Sequence, residues 1–174
     1  MITSSAKNKG RRLQLTVCDY IRETFPHLTE NDVRSASAGQ TGVDVLLSEA
    51  ALEVFPFAVE CKNVETVTIP KFWRQATQNS SNYIPLLVVK SNRKSPVCVL
   101  GFDDFCAIFD ITTVVFQVRK AISDVIIEDC APNNNLTTAV VSQKSLLVMT
   151  PINGFFERIR NVNQQELQKL RRIL

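Results

Sequence analysis

Apolar residues near the start of the chain recur at helical spacing. Leu13, Val17, Tyr20, Ile21 and Phe25 line one helical face. Pro26 closes that helix, because proline pushes the residue before it out of helical geometry. The polar, basic residues 1–10, with Lys7, Lys9 and Gly10, predict a loose tail or a basic arm. Asp32 to Ala38 alternates polar and small residues, which suits a strand, and Ala38-Gly39-Gln40-Thr41-Gly42 suits a turn. Val43 to Leu47 reads as a buried strand interrupted by Asp44, and Ser48-Glu49-Ala50-Ala51 breaks it. Val54 to Cys61 is a second apolar run, with Pro56 placing its start at an edge or bulge.

Residues 70–82 predict a helix with Pro70 in its first turn. Ile84 to Lys90 and Pro96 to Phe102 predict two more strands, joined by the basic turn Ser91-Asn92-Arg93-Lys94-Ser95. Asp103 to Phe109 predicts a short helix, with Asp103 and Asp104 at its start, where acidic side chains are favoured. Thr112 to Ile127 fits helix or strand, Ala131 to Asn135 is a loop, and Leu136 to Thr150 is strand-like. A last helix is capped by Asn163, with Glu166 three residues on. Its tail, Lys169-Leu170-Arg171-Arg172-Ile173-Leu174, is apolar on one face and basic on the other. Helix, strands, helix, strands is the order of a mixed α/β sheet flanked by helices. A core over 1–110 with a C-terminal α+β extension over 111–174 is the expected division.

Composition narrows the class without deciding it. The 174 residues are 45% hydrophobic and 21% charged, as in an ordinary folded domain. No run approaches the roughly 18 apolar residues of a membrane span, and the polar start Met1-Ile2-Thr3-Ser4-Ser5 is not a secretory signal. A membrane protein, a disulfide miniprotein and a fibre are excluded, and a cytoplasmic location is expected. Cys18, Cys61, Cys98, Cys106 and Cys130 are odd in number and lack Cys-x-x-Cys spacing, so they read as buried thiols. His27 is the single histidine, which leaves little for a Cys/His metal site or a His-based triad. The net charge of +3 falls on residues 1–100, with 12 Lys+Arg against 9 Asp+Glu; residues 101–174 hold 8 of each.

The chemistry sits in that basic half. Asp44 and Glu60 both interrupt apolar strand runs, and a buried carboxylate is costly unless paired or bound to metal. Strand alternation places Glu60 and Lys62 on one face, with the Cys61 thiol on the other. If the two strands are neighbours, two carboxylates and one ammonium converge at a sheet edge. Such a set can hold one or two Mg²⁺ or Mn²⁺ ions through Asp44, Glu60 and the Cys61 backbone carbonyl. It suits phosphodiester hydrolysis, with Lys62 orienting water or stabilising charge on phosphate. An ordinary surface ion pair is the plainer reading of Glu60-x-Lys62 alone.

Gly42-Val43-Asp44 and Glu60-Cys61-Lys62 resemble the two acidic motifs of the PD-(D/E)XK nuclease superfamily. Ser35 to Asp44, Phe55 to Asn63, and Trp73-Arg74-Gln75-Ala76 are similar to the Holliday-junction-resolvase-like endonucleases of phages and archaea. The resemblance implies a restriction-endonuclease-like fold, a divalent metal and a DNA substrate, branched DNA above all. It also implies a host cytoplasm if the gene is a phage's. It covers about 100 residues and leaves 111–174 unmatched. Many relatives carry a metal-binding Glu on the first helix. Here Gln14 follows Lys9-Gly10, and Glu23 and Asp19 are the acidic alternatives. Gln75 resembles a glutamine that bonds metal-bound water or phosphate in some relatives, although Lys71, Arg74, Gln75 and Gln78 also suit a solvated helix face. Lys9, Arg11, Arg12, Arg34, Lys71 and Arg74, with Lys7, Arg93 and Lys94, are candidate phosphate contacts. Trp73 is expected in the core or an interface.

Three functions remain open on these residues. One is a metal-dependent endonuclease for branched DNA, acting as a homodimer because a two-fold substrate suits a two-fold enzyme. The second is a nuclease for linear duplex or single strands. The third is a catalytically silent DNA-binding or assembly module on the same fold.

Overall fold

A computed structural model describes residues 4–37, 39–109, 138–142 and 145–161. In chain order the elements are α1 (Ser4–Thr24), β1 (Val33–Ser35), β2 (Val45–Leu47), α2 (Glu49–Val54), β3 (Phe57–Asn63) and α3 (Ile69–Asn79). Then come β4 (Ile84–Lys90), β5 (Val97–Gly101), α4 (Phe102–Phe109), β6 (Thr138–Ser142), β7 (Ser145–Pro151) and α5 (Ile152–Asn161). The main sheet has the order β3-β4-β5-β7-β6, and β1 and β2 form a separate antiparallel pair. β3 and β4 are parallel, with Glu60 opposite Leu87 and Lys62 opposite Val89; the other pairings are antiparallel. This is the mixed, helix-flanked α/β sheet of a restriction-endonuclease-like fold.

The alternation of the sheet strands divides their apolar side chains between two cores. Phe57, Val59 and Cys61 join Leu13, Val17, Cys18 and Ile21 of α1 and the apolar face of α5. Leu87, Val89, Val97 and Val99 meet Ile69, Trp73 and Ala76 of α3 on the other face. Trp73 is therefore core, as expected. Phe55 is fully buried and lies against the rings of Phe25, Phe57 and Phe156, which links α1, β3 and α5.

Several boundaries differ from the sequence reading, each for a local reason. α1 begins at Ser4, so residues 4–10 are helical and not a loose arm. Ala6, Lys7 and Lys9 are good helix formers, and the single Gly10 costs about 1 kcal/mol, too little to end the helix. Ser48 to Ala51, read as a strand break, is the start of α2. The Ser48 hydroxyl caps it by accepting from the Ala51 N–H at 3.2 Å and donates to Asp32 at 2.8 Å. Val54 ends α2 and Pro56 precedes β3, so the second apolar run becomes strand at Phe57.

Leu136 to Thr150 divides into parts of β6 and β7. β7 pairs with β5, and α5 supplies buried Ile152, Phe155, Phe156 and Ile159. Tyr20 on α1 stacks on Phe156 and donates its hydroxyl to Asn153. β7 and β6 thus extend the main sheet beyond β5, and α5 shares the core of α1. The expected elements at 112–127, 131–135 and 163–174 lie outside the described residues.

Phe55→Ala removes the ring on which three elements meet. It is expected to cost about 3–5 kcal/mol of stability, read by denaturant unfolding.

Candidate active site at the edge of the sheet

β3 is an edge strand of the main sheet, with β4 on one side. Its other edge offers backbone groups that need partners. Asp44, in the bend just before β2, supplies them. Its N–H donates to the Val59 carbonyl at 2.8 Å, and its Oδ2 accepts from the Cys61 N–H at 2.7 Å. The Asp44 carbonyl accepts from the Ala36 N–H at 2.9 Å, which ties the same residue to the end of β1. Gly42 reaches this bend with φ +108, a conformation that costs glycine little and other residues much.

Two carboxamides hold the two carboxylates. Gln14, on α1, donates from Nε2 to Asp44 Oδ1 at 2.7 Å. Asn79, the last residue of α3, donates from Nδ2 to Glu60 Oε2 at 3.1 Å and to the Gly42 carbonyl at 2.9 Å. Lys62 Nζ pairs with Glu60 Oε1 at 2.6 Å and lies 5.9 Å from the centroid of the Phe72 ring on α3. The site therefore draws on α1, the bend before β2, β3 and α3, all at one sheet edge.

Glu60 is 2% exposed. Burial pushes its carboxyl above the usual glutamate range; Lys62 pulls it down, the Asp44 charge pushes it up and Asn79 pulls it down. The Cys61 thiol lies in the opposite core and is raised far above its usual range by burial. It is an inert packing group, as are buried Cys18 and Cys98.

Asp44, Glu60 and Lys62 are thus brought together as the sequence suggested. Cys61 contributes its N–H to Asp44. Gln75 is exposed on α3 and, among the described residues, makes no side-chain hydrogen bond; the carboxamide of α3 that reaches Glu60 is that of Asn79, one turn further on. Gln14 occupies the helix position facing Asp44. Glu23 is exposed and nine residues later, about 13 Å along the helix, so it is not at the site. Lys9, Arg11, Arg12, Arg34, Lys71 and Arg74 are all exposed.

Among the described residues, no three His, Cys, Asp or Glu side chains converge on a metal position. The donor set at the sheet edge is two carboxylates. That suits Mg²⁺, which commonly takes one or two carboxylates and completes its shell with water and substrate phosphate. Each carboxylate oxygen accepts one protein hydrogen bond and keeps lone-pair capacity for a cation.

Residues 5–165 match the family described as "Phage putative PDDEXK endonuclease". No curated protein and no solved structure matches the chain.

The raised Glu60 carboxyl has a consequence for stability. The folded chain holds that proton more firmly than the unfolded chain does. The charge therefore begins to cost stability as pH rises past the ordinary glutamate value of about 4.3, and the full cost is reached above the folded value. Glu60→Gln is expected to raise the thermal midpoint at pH 7 in EDTA. The gain should shrink as the pH is lowered below about 4.3. A variant less stable than wild type at pH 7 would contradict this.

Proposed function

The chain belongs to the phage PDDEXK endonuclease family, and from that premise we propose that it hydrolyses DNA phosphodiester bonds with a divalent metal held at the edge of β3. The observation that carries the reading is the convergence of Asp44, Glu60 and Lys62 at one sheet edge, with each carboxylate held by a carboxamide. Asp44 and Glu60, with the Cys61 backbone carbonyl, would hold Mg²⁺ or Mn²⁺. Bound there, the ion supplies Lewis-acid polarisation of the phosphoryl group and a more acidic water.

The remaining roles fall to this chain's own side chains. Lys62 brings a positive charge to the phosphate and stabilises negative charge as it develops. Its pairing with Glu60 keeps the ammonium at the site before substrate arrives. Gln14 and Asn79 fix the orientation of the two carboxylates without adding charge. Two carboxyl groups against one amine give the site a formal excess of acidic groups, which favours a cation before a phosphate.

Branched DNA is the substrate form this reading favours, with a homodimer as the acting species. Its support is the similarity of Ser35–Asp44, Phe55–Asn63 and Trp73–Ala76 to resolvase-like nucleases. In the described part of 111–174, Leu147, Met149, Ile152, Phe155, Phe156 and Ile159 are buried in the chain's own cores, so a dimer would draw on other surface.

The test is cleavage of a labelled four-way junction beside linear duplex and single strand, with Mg²⁺ or EDTA. Wild type should cut the junction symmetrically, in Mg²⁺ alone, and Lys62→Ala should fall by about 10²–10³-fold. Mutant-sensitive cutting confined to linear substrates would keep the nuclease and remove the junction preference. Binding without cutting would favour the silent module. Gln14→Ala and Asn79→Ala are expected to cut about 10–100-fold more slowly or to need correspondingly more Mg²⁺. A titration of initial rate against Mg²⁺ reads either effect.

A further inference from the structure

Beyond Lys62, β3 and β4 run on in parallel to Asn63 and Lys90. The chain then turns through Ser91–Pro96 into β5, with the Lys94 N–H donating to the Ser91 carbonyl at 3.2 Å. The third residue of that turn is Arg93, with φ +60. This is the left-handed region, where a Cβ crowds the carbonyl and glycine or asparagine is favoured. Retaining an arginine there is unfavourable for the turn itself. Such a residue in a strained position points to a use outside the fold.

The surroundings indicate the use. Arg93 and Lys94 are exposed and, among the described residues, their side chains have no hydrogen-bond or ion-pair partner. Asn92 is fixed from both sides: its Oδ1 accepts from Lys9 Nζ at 3.2 Å and its Nδ2 donates to Glu65 at 3.0 Å. Asn63 Nδ2 donates to the Lys9 carbonyl at 3.1 Å. These bonds bring the start of α1 against the turn. Lys9, Lys90, Arg93 and Lys94 thus collect at the carboxyl ends of the parallel strands, with Glu65 as the one carboxylate in the network. Four cations against one anion at the ends of parallel strands suit a polyanion.

We infer that the β4–β5 turn is a backbone clamp for DNA flanking the cleavage site, in which Arg93 contacts a phosphate. The inference rests on the nuclease reading above. Lys62 lies level with Val89, so the turn starts two residues further along the strand. At about 3.3 Å per residue, with the reach of an arginine, Arg93 stands on the order of 10 Å from Lys62. That corresponds to about three nucleotides at a rise of about 3.4 Å. The clamp fixes where the duplex lies relative to Asp44 and Glu60 and adds affinity without reading sequence.

The test compares wild type, Arg93→Gly and Arg93→Asn, both of which accept a positive φ without the charge. Binding to a labelled linear duplex is measured in EDTA from about 50 to 200 mM salt, with thermal midpoints in parallel and wild-type cleavage in Mg²⁺. Both variants should bind several-fold more weakly, and the slope of log affinity against log salt should become shallower by about 0.9. Arg93→Gly should melt at or above the wild-type temperature, since glycine relieves the turn. Unchanged affinity and slope, with wild type cutting DNA, would overturn the clamp and leave the nuclease. A lower melting temperature for both variants would also overturn it, because Arg93 would then be serving the turn. Wild type that neither binds nor cuts DNA would overturn the nuclease reading and the clamp with it.

Discussion

Asp44 sits against β3 as a neighbouring strand would. It donates its own N–H to Val59 and accepts the Cys61 N–H on its side chain, so two groups on the outer edge of β3 are met by one residue. The placement of the site depends on this junction. The bend that carries Asp44 is fixed to β1 through Ala36 and to α3 through Gly42 and Asn79. A carboxylate that does the work of a strand partner has its backbone and one oxygen fixed by the fold. Its other oxygen is reached by Gln14. The edge of an open sheet, which proteins usually have to protect from pairing, is here covered in part by Asp44.

The same arrangement brings a second carboxylate into the interior. Glu60 projects from β3 toward α3, where Leu87 and Val89 line the same face. Its charge is compensated by Lys62 and Asn79 and opposed by burial and Asp44. Such a site is held under electrostatic tension by the surrounding core. In the proposed function, a divalent cation would relieve that tension by attracting both carboxylates at once. On that proposal, folding and metal affinity are opposed at Glu60: the burial that costs stability would prepare the ligand. Asn79 and Gln14 moderate the opposition with neutral donors, and a third carboxylate in place of Gln14 would sharpen it.

Much of this was legible in the residues. Strand alternation placed Glu60 with Lys62 and turned Cys61 away. The apolar spacing of Leu13, Val17 and Ile21 defined the helix that carries Gln14. The limits of β4 were marked by its apolar run. Hydrogen-bonded detail was harder to read. Gln75 and Asn79 share one face of α3 at a spacing of one turn, and periodicity alone cannot say which turn meets Glu60. Asn79 also needs the Gly42 carbonyl, a contact 37 residues away in sequence. α2 was hidden because its cap, Ser48, is a poor strand residue and suggested a break as readily as a helix start. The part that β7 and α5 play in the core depends on pairing with β5, a long-range choice that local pattern does not encode.

The most direct measurement is calorimetric titration of Mn²⁺ into the chain in the absence of DNA, for wild type and Asp44→Asn. The account predicts saturable binding in wild type that is lost or severely weakened in the variant, with the thermal midpoint of wild type alone rising as Mn²⁺ is added. Equal Mn²⁺ binding by the two proteins would contradict it, because the metal would then lie somewhere other than the carboxylate pair at the edge of β3.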